Sequence, residues 1–501
     1  MERKIRHQKT GKKGKAASGG PPIRSYLLAV FSGLLLYASF PPLSCWFLAW
    51  VSLVPLFFAV YASPDFRGAA NVGGVAGLVF YGLSLSWFLR VLGPAAPALW
   101  CMLALWPALF CVAARFTLRE RFGAFWPVFA GLAWCGIEYF RSEIWIIKFA
   151  WMGLGFSQVP LLPALQLCSV FGVYGLSAFI VGFNAALYLS LARREWRPAA
   201  LASVTVLAAL AWGNYRLARY PLEDGRGVKV ALLQDESLGL ERQLHLSRAK
   251  KAGQFDLLVW PEYSFMIPAG REKQHMRMLL NRLAGIGAVK VVGVAITPPD
   301  KEKIKVGDAE NLAVVIEHGG GIAGRYGKMH PIPFVEPFLV PNKSPAAVKT
   351  SIGTLGIQIC YDLDFENGSR MMVGQGAEIL VVPDMDPWEW GRLQHVQHSE
   401  MAPVRAVESG LWAVRAASSG FSQMISPVGR VVREMGFGEE GLLTGKVFMK
   451  KTATVYSRFG WIMAPFSMIF TIVLLGGIVL VRLFEVRGGK GYRRKRGIIT
   501  R

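Results

Sequence analysis

GTLGIQICYDLDF occupies residues 353–365. Its apolar run, Leu355 to Ile359, has the length and composition of a buried strand. The run stops at Cys360 and breaks into a polar turn. Five of the six cysteines (Cys45, Cys101, Cys111, Cys135 and Cys168) lie in the apolar first half, and Cys360 stands alone beyond residue 220. A thiol at a strand end is either packed as a small hydrophobe or exposed by the turn as a nucleophile. Taken alone, packing is the commoner use.

The neighbouring sequence shifts that balance. From Val228, short β-type runs alternate with polar, helix-compatible stretches: VKVALLQ, FDLLVWPE, VKVVGVAIT, NLAVVIEH, AEILVVPD and GLWAVRAAS. Strands separated by helical stretches predict one layered α/β domain over about 230 residues. Glu262 closes one apolar run, behind Pro261. Lys328 and Glu336 lie in the loop RYGKMHPIPFVE. A carboxylate or lysine in such a place is usually solvated, but functional groups of α/β sheets collect at strand ends and adjoining loops.

The rest of the chain is apolar and basic. Of 501 residues 53% are hydrophobic, and the net charge is +23. Apolar segments near 25–40, 43–62, 70–90, 95–115, 123–140, 160–191 and 199–218 predict seven membrane spans, and Trp461 to Phe484 an eighth. Basic tails flank them, MERKIRHQKTGKKGKAASGG and RGGKGYRRKRGIITR. Beside apolar spans such tails hold termini in the cytoplasm against anionic lipid, so a nucleic-acid role is not expected. The first tail is too long and too charged for an ordinary cleaved leader. With the N-terminus inside, the inner loops carry Arg67; Arg115, Arg119 and Arg121; and Arg193, Arg194 and Arg197. The outer loops carry mainly Arg141 and Lys148. Seven spans then place residues 220–458 on the outer face. The expected organisation is a basic tail (1–23), a seven-span domain (24–219), an external α/β domain (220–458), a last span (459–485) and a basic tail (486–501).

Glu262 in WPE, Lys328 in YGKMH and Cys360 in ICYD resemble, in order and spacing, the Glu-Lys-Cys triad of the nitrilase (carbon-nitrogen hydrolase) superfamily. Seven spans before that domain and one after it are similar to the apolipoprotein N-acyltransferase family, a membrane-embedded branch of the superfamily. TATVYSRFGW and the block from His398 through Arg405, Glu408 and Arg415 resemble family segments. Four features depart from the family pattern. Asp362 stands where Glu is common, and PDMDPWEWG replaces an Asn-Asp-Ala-Trp-Phe-Gly-like loop. Ser426 stands where Asp is usual. A family tryptophan has no counterpart near LLQDESLGLERQ.

The resemblance implies an α-β-β-α sandwich and a two-step acyl transfer in a bacterial inner membrane. Glu262 takes the Cys360 proton, the thiolate attacks a phospholipid ester, and Lys328 with backbone N–H groups holds the oxyanion. The thioester then passes its acyl chain to the α-amine of a diacylglyceryl-cysteine lipoprotein. Glu336, Tyr361 and Asp362 form the supporting wall. The enzyme is expected to act as a monomer without cofactor or metal. His395 and His398, three apart on a helix, read as structural. The alternatives are a membrane-tethered amidase or nitrilase, in which water replaces the amine, and a non-catalytic lipid or lipoprotein binder.

Overall fold

The computed structural model describes residues 20–119, 123–248, 255–298, 305 and 307–496. Most of the N-terminal tail, Arg121 and the last five residues lie outside them.

Helices occupy every apolar segment of the first half, but not as uniform rods. The first runs Ile23–Ala38. The expected 43–62 segment splits into a 3-10 turn, Trp46–Trp50, and a helix, Val54–Ala62, with Pro55 in its first turn. Proline suits that position because its missing N–H has no intrahelical partner there. The 160–191 segment also breaks, into Leu162–Leu165 and Cys168–Arg193, and Gly172 at φ +69 kinks the second piece. Among the described residues, three helices are long and apolar enough to cross a membrane by themselves: Phe88–Leu118, Cys168–Arg193 and Gly460–Leu480. The last packs against Trp126–Tyr139 through Gly136, where an added Cβ would lie 2.3 Å from the Ser467 carbonyl oxygen. Small residues permit such close helix contact in an apolar medium.

Two of the basic residues counted as loop charges are buried instead. Arg115 donates to the carbonyls of Val60 (3.0 Å) and Pro64 (2.7 Å), at and just beyond the open end of Val54–Ala62. Arg141 donates to Tyr81 Oη and, at 3.0 Å, to the Trp151 carbonyl. Hydrogen bonds to the guanidinium head are how such a charge is tolerated inside, although Arg141 Nε is left without one among the described residues.

Beyond residue 225 the chain forms two sheets. The first has strand order Gly441–Met449, Arg226–Gln234, Leu257–Val259, Val289–Thr297, Glu310–Ile316, Ile322–Gly327, with Phe265–Pro268 also paired to Val289–Thr297. The second has order Val431–Met435, Ser422–Ile425, Ala413–Ala417, Ile379–Asp384, Gly353–Ile357, Val348–Thr350. Central strands in each sheet run parallel and outer ones antiparallel. Apolar residues dominate the parallel strands, as burial on both faces favours.

The α/β part sits directly on the helices. Trp151 Nε1 donates to Asp364 Oδ2 (2.5 Å), Trp87 Nε1 to Gln397 Oε1 (2.9 Å) and Tyr361 Oη to the Lys148 carbonyl (2.8 Å). Glu366 N–H donates to Glu143 Oε1 at 3.1 Å. The segment that follows Cys360 is therefore held from both sides.

Candidate active site

Three strand ends converge. Glu262 follows Leu257–Val259, Lys328 follows Ile322–Gly327, and Cys360 follows Gly353–Ile357. Their exposures are 1%, 1% and 2%. Cys360 opens a short 3-10 turn and has φ +47, a left-handed conformation that non-glycine residues adopt at a cost of about 1–3 kcal/mol. Tyr263, next to Glu262, has φ +58. Strain of this kind persists where the surroundings fix a side chain for a purpose.

Glycine makes room for the carboxylate. A Cβ on Gly293 would lie 2.2 Å from the Pro261 carbonyl oxygen and 2.6 Å from Glu262 Cα. Backbone cannot yield to that contact, so Gly293→Ala is expected to displace Glu262. A misplacement of about 1 Å costs about 100-fold in rate. Single-turnover acylation of the variant checks this, against a thermal melt to confirm folding.

Lys328 Nζ binds Glu262 Oε1 and Glu336 Oε2, each at 2.8 Å. Asn311 Nδ2 also donates to Glu262 Oε1 (2.6 Å). Glu336 accepts from Tyr263 Oη (2.7 Å) and the Ile332 N–H (2.9 Å). One ammonium thus faces two carboxylates in a dry setting. Burial raises the Glu262 carboxyl to about 7, against the pull of Lys328 and with a push from Glu336. Burial opposes the charge on Lys328, but Glu262 and Glu336 hold its ammonium form well above the usual lysine range. The Cys360 thiol is pushed up by burial first, then by Glu262 and Asp384, with Lys328 opposing. At rest it is a thiol, donating weakly to the Met385 carbonyl at 3.8 Å. A carboxylate and an ammonium therefore both bear on the ionisation of the sulfur.

Tyr361 and Asp362 do different things. Tyr361 meets Phe365 edge-on (5.1 Å between ring centroids) and lines an apolar cavity with Trp87, Phe149, Trp151, Phe334 and Trp390. That cavity lies between the helical half and the sheets. Asp362 is fully buried and accepts from five donors: Tyr326 Oη, the N–H groups of Met329, His330 and Ile359, and His330 Nδ1, at 2.7–3.2 Å. Two of these N–H groups directly follow Lys328. The shorter aspartate side chain is matched to this loop, so Asp362 positions Lys328. Asp362→Ala strands buried donors and is expected to destabilise the protein by about 3–5 kcal/mol. Chemical denaturation in detergent measures it.

A second polar group brings together residues that the sequence shows only in separate segments. Asp384, Asp386, His398 and Arg415 pack together behind Cys360, all at most 2% exposed. Arg415 Nη2 donates to Asp384 Oδ2 and Asp386 Oδ2 (2.5 Å each), and His398 Nδ1 lies 2.8 Å from Asp386 Oδ1. The available signal was an aspartate ending the apolar run ILVVPD. His395 also turns to this segment, with Nε2 3.1 Å from the Asp386 carbonyl.

Comparison with known proteins agrees with this architecture. Residues 32–186 match the apolipoprotein N-acyltransferase N-terminal domain, and residues 229–456 the carbon-nitrogen hydrolase domain. The apolipoprotein N-acyltransferase of Geobacter metallireducens is 31% identical over 494 residues, covering 88% of this chain and 93% of its own. The chain belongs to the apolipoprotein N-acyltransferase family. Its relative in Thermosynechococcus vestitus is 25% identical, with 89% and 93% covered. Among solved structures, yeast Nit3 of the nitrilase superfamily covers 44% of this chain and 90% of its own at 20% identity, with a TM-score of 0.36.

Proposed function

We propose that this protein moves an acyl chain from a phospholipid, through a Cys360 thioester, to the α-amine of diacylglyceryl-cysteine lipoproteins. The observation that carries this reading is the buried set of Glu262, Lys328 and Cys360 beside an apolar cavity at the junction of the two halves. Glu262 accepts the thiol proton as sulfur attacks the ester carbonyl. Lys328 Nζ holds the developing oxyanion. The C–O bond breaks, the proton passes to the departing lysophospholipid, and the thioester remains. An amine then attacks, Glu262 takes its proton, and the C–S bond breaks to restore the thiol. Glu336 shares the Lys328 charge, and Tyr361 supplies a wall of the acyl-chain cavity. Burial excludes the water that would otherwise hydrolyse the thioester.

The protonation of Glu262 sets a pH dependence. Only the ionised carboxylate accepts a proton, and burial has raised its carboxyl to about 7. Acylation of Cys360 is expected to fall as pH drops through about 7, approaching tenfold per unit below it. Glu262→Gln removes that limb along with most activity. A wild-type rate unchanged from pH 8 to 5 contradicts the assignment.

The proposed setting is a bacterial inner membrane, crossed eight times by a monomer. Residues 220–458 lie on the outer face as an α-β-β-α sandwich, and both termini are cytoplasmic. Phospholipid is available on that face, whereas acyl-CoA is cytosolic. A reporter active only in the cytoplasm, fused after Arg226, is expected to stay silent. A strong signal there overturns the topology.

A further inference from the structure

The turn that opens with Cys360 ends at Asp364 and is held from the helical half. Tyr361 Oη donates to the Lys148 carbonyl (2.8 Å), and Trp151 Nε1 donates to Asp364 Oδ2 (2.5 Å). Lys148 and Trp151 share the connection between Ile144 and Leu154. Lys148 (φ +47) and Met152 (φ +61) take left-handed backbone there, a strain that persists only where the surroundings impose it. Arg141 pins the same connection. Its carbonyl accepts from the Phe149 N–H (3.1 Å), and its Nη2 donates to the Trp151 carbonyl (3.0 Å).

Asp364 passes this hold on to the sulfur. Its Oδ1 lies 3.4 Å from His398 Nε2, and His398 Nδ1 lies 2.8 Å from Asp386 Oδ1. Asp386 follows Met385, whose carbonyl receives the Cys360 thiol at 3.8 Å. Contacts thus run in a closed ring from the Cys360 turn through Asp364, His398 and Asp386 back to the sulfur. Burial opposes charge on His398, but Asp386 and Asp384, with Asp364, hold its imidazolium form well above the usual histidine range. The Trp151 ring also lies over His398, 5.6 Å between centroids and 24° from parallel, and it walls the apolar cavity with Phe149, Tyr361 and Trp390. Neither the Trp151 N–H nor Asp364 has a step in the acyl transfer.

We propose that Trp151 and Asp364 are positioning residues: the indole N–H of the helical half, through the Asp364 carboxylate, aims the Cys360 turn at an ester carbonyl whose acyl chain lies in the apolar cavity. The wall that the chain packs on and the tie that fixes the sulfur are then one side chain. The hold on the turn stands on geometry alone, while its effect on rate rests on the acyl-transfer reading above. Glu262 and Lys328 bond to Asn311 and Glu336 instead, so loosening the tie moves the sulfur and leaves the base in place.

The test replaces Trp151 by 3-benzothienylalanine, which keeps the fused rings and lacks the N–H, in the full chain in detergent. The maximal rate of Cys360 acylation by phospholipid is expected to fall at least about tenfold, as a misplaced nucleophile requires. The half-saturating phospholipid concentration is expected to change less than about twofold, since the wall is kept, and the acid limb to stay near 7. Asp362 and Phe365 donate their N–H groups within the turn, to the Ile359 and Asp362 carbonyls. Hydrogen exchange of the peptide that holds them is expected to speed up at least about tenfold, with or without lipid. An unchanged maximal rate in a protein that acylates normally, or unchanged exchange, leaves Trp151 as a wall and overturns the proposal. Asp364→Leu is expected to show the same losses, and the analogue to add less than about twofold in that background, because the two act as one tie. Losses that multiply overturn the tie. Should Asp364→Leu not fold, the rate and exchange of the analogue decide. A wild type that forms no thioester, with exchange still faster in the analogue, tells against the acyl-transfer reading and upholds the hold on the turn.

Discussion

Cys360→Ala abolishes transfer and leaves the folded protein with no acyl adduct after incubation with phospholipid. The expectation follows from the position of the sulfur. It lies in a strained left-handed turn, 2% exposed, under the influence of Glu262 and Lys328. No neighbouring group among the described residues offers a comparable nucleophile. Cys360→Ser keeps the shape and is still expected to fail, because a hydroxyl is a far weaker acid and nucleophile than a thiol and this site is built around sulfur. Gel filtration and a thermal melt separate lost chemistry from lost fold. Full activity in the alanine variant removes Cys360 from the reaction.

Lys328→Met carries the second large effect and acts in two ways. It removes the cation proposed to hold the oxyanion, a loss of about 100- to 1,000-fold for one such donor. It also removes the partner of Glu262 and Glu336, 2.8 Å from each. Lys328 is the influence that pulls the Glu262 carboxyl down against burial. Without it the two carboxylates repel, Glu262 rises further above 7, and the base is protonated at neutral pH. The sign is testable: part of the lost acylation is expected to return as pH is raised, and none by salt. A normal acylation rate in Lys328→Met shows that the ammonium has another task.

Much of the site's outline was legible because strands and their ends leave a local signature. The apolar runs stop at Glu262 and Cys360, Lys328 lies in a loop rich in Pro and Gly, and the alternation with helical stretches marks the α/β half. The pairing of distant strands leaves none. That Asn311 meets Glu262, or that Asp384, His398 and Arg415 meet behind the thiol, depends on strand register between segments far apart in sequence. Asp362 is the instructive case. The sequence marks it as a departure from the commoner glutamate, and four of its five bonds tie it to the loop that carries Lys328. The helical half reads less cleanly for a related reason. Hydropathy finds apolar length, but the breaks at Pro55 and Gly172 depend on local backbone preference inside that length.

The central claim is that one acyl chain passes from lipid to sulfur to amine. The direct measurement loads the protein with a phospholipid bearing an isotope-labelled acyl chain, removes free lipid, and then adds a diacylglyceryl-cysteine peptide. Intact-mass spectra of protein and peptide are followed in time. The account predicts a single hydroxylamine-sensitive label on the Cys360 peptide, which disappears as the same label appears on the peptide α-amine. Label released as free fatty acid with none on the amine, or amine labelled by a protein that never carried the chain on Cys360, contradicts it.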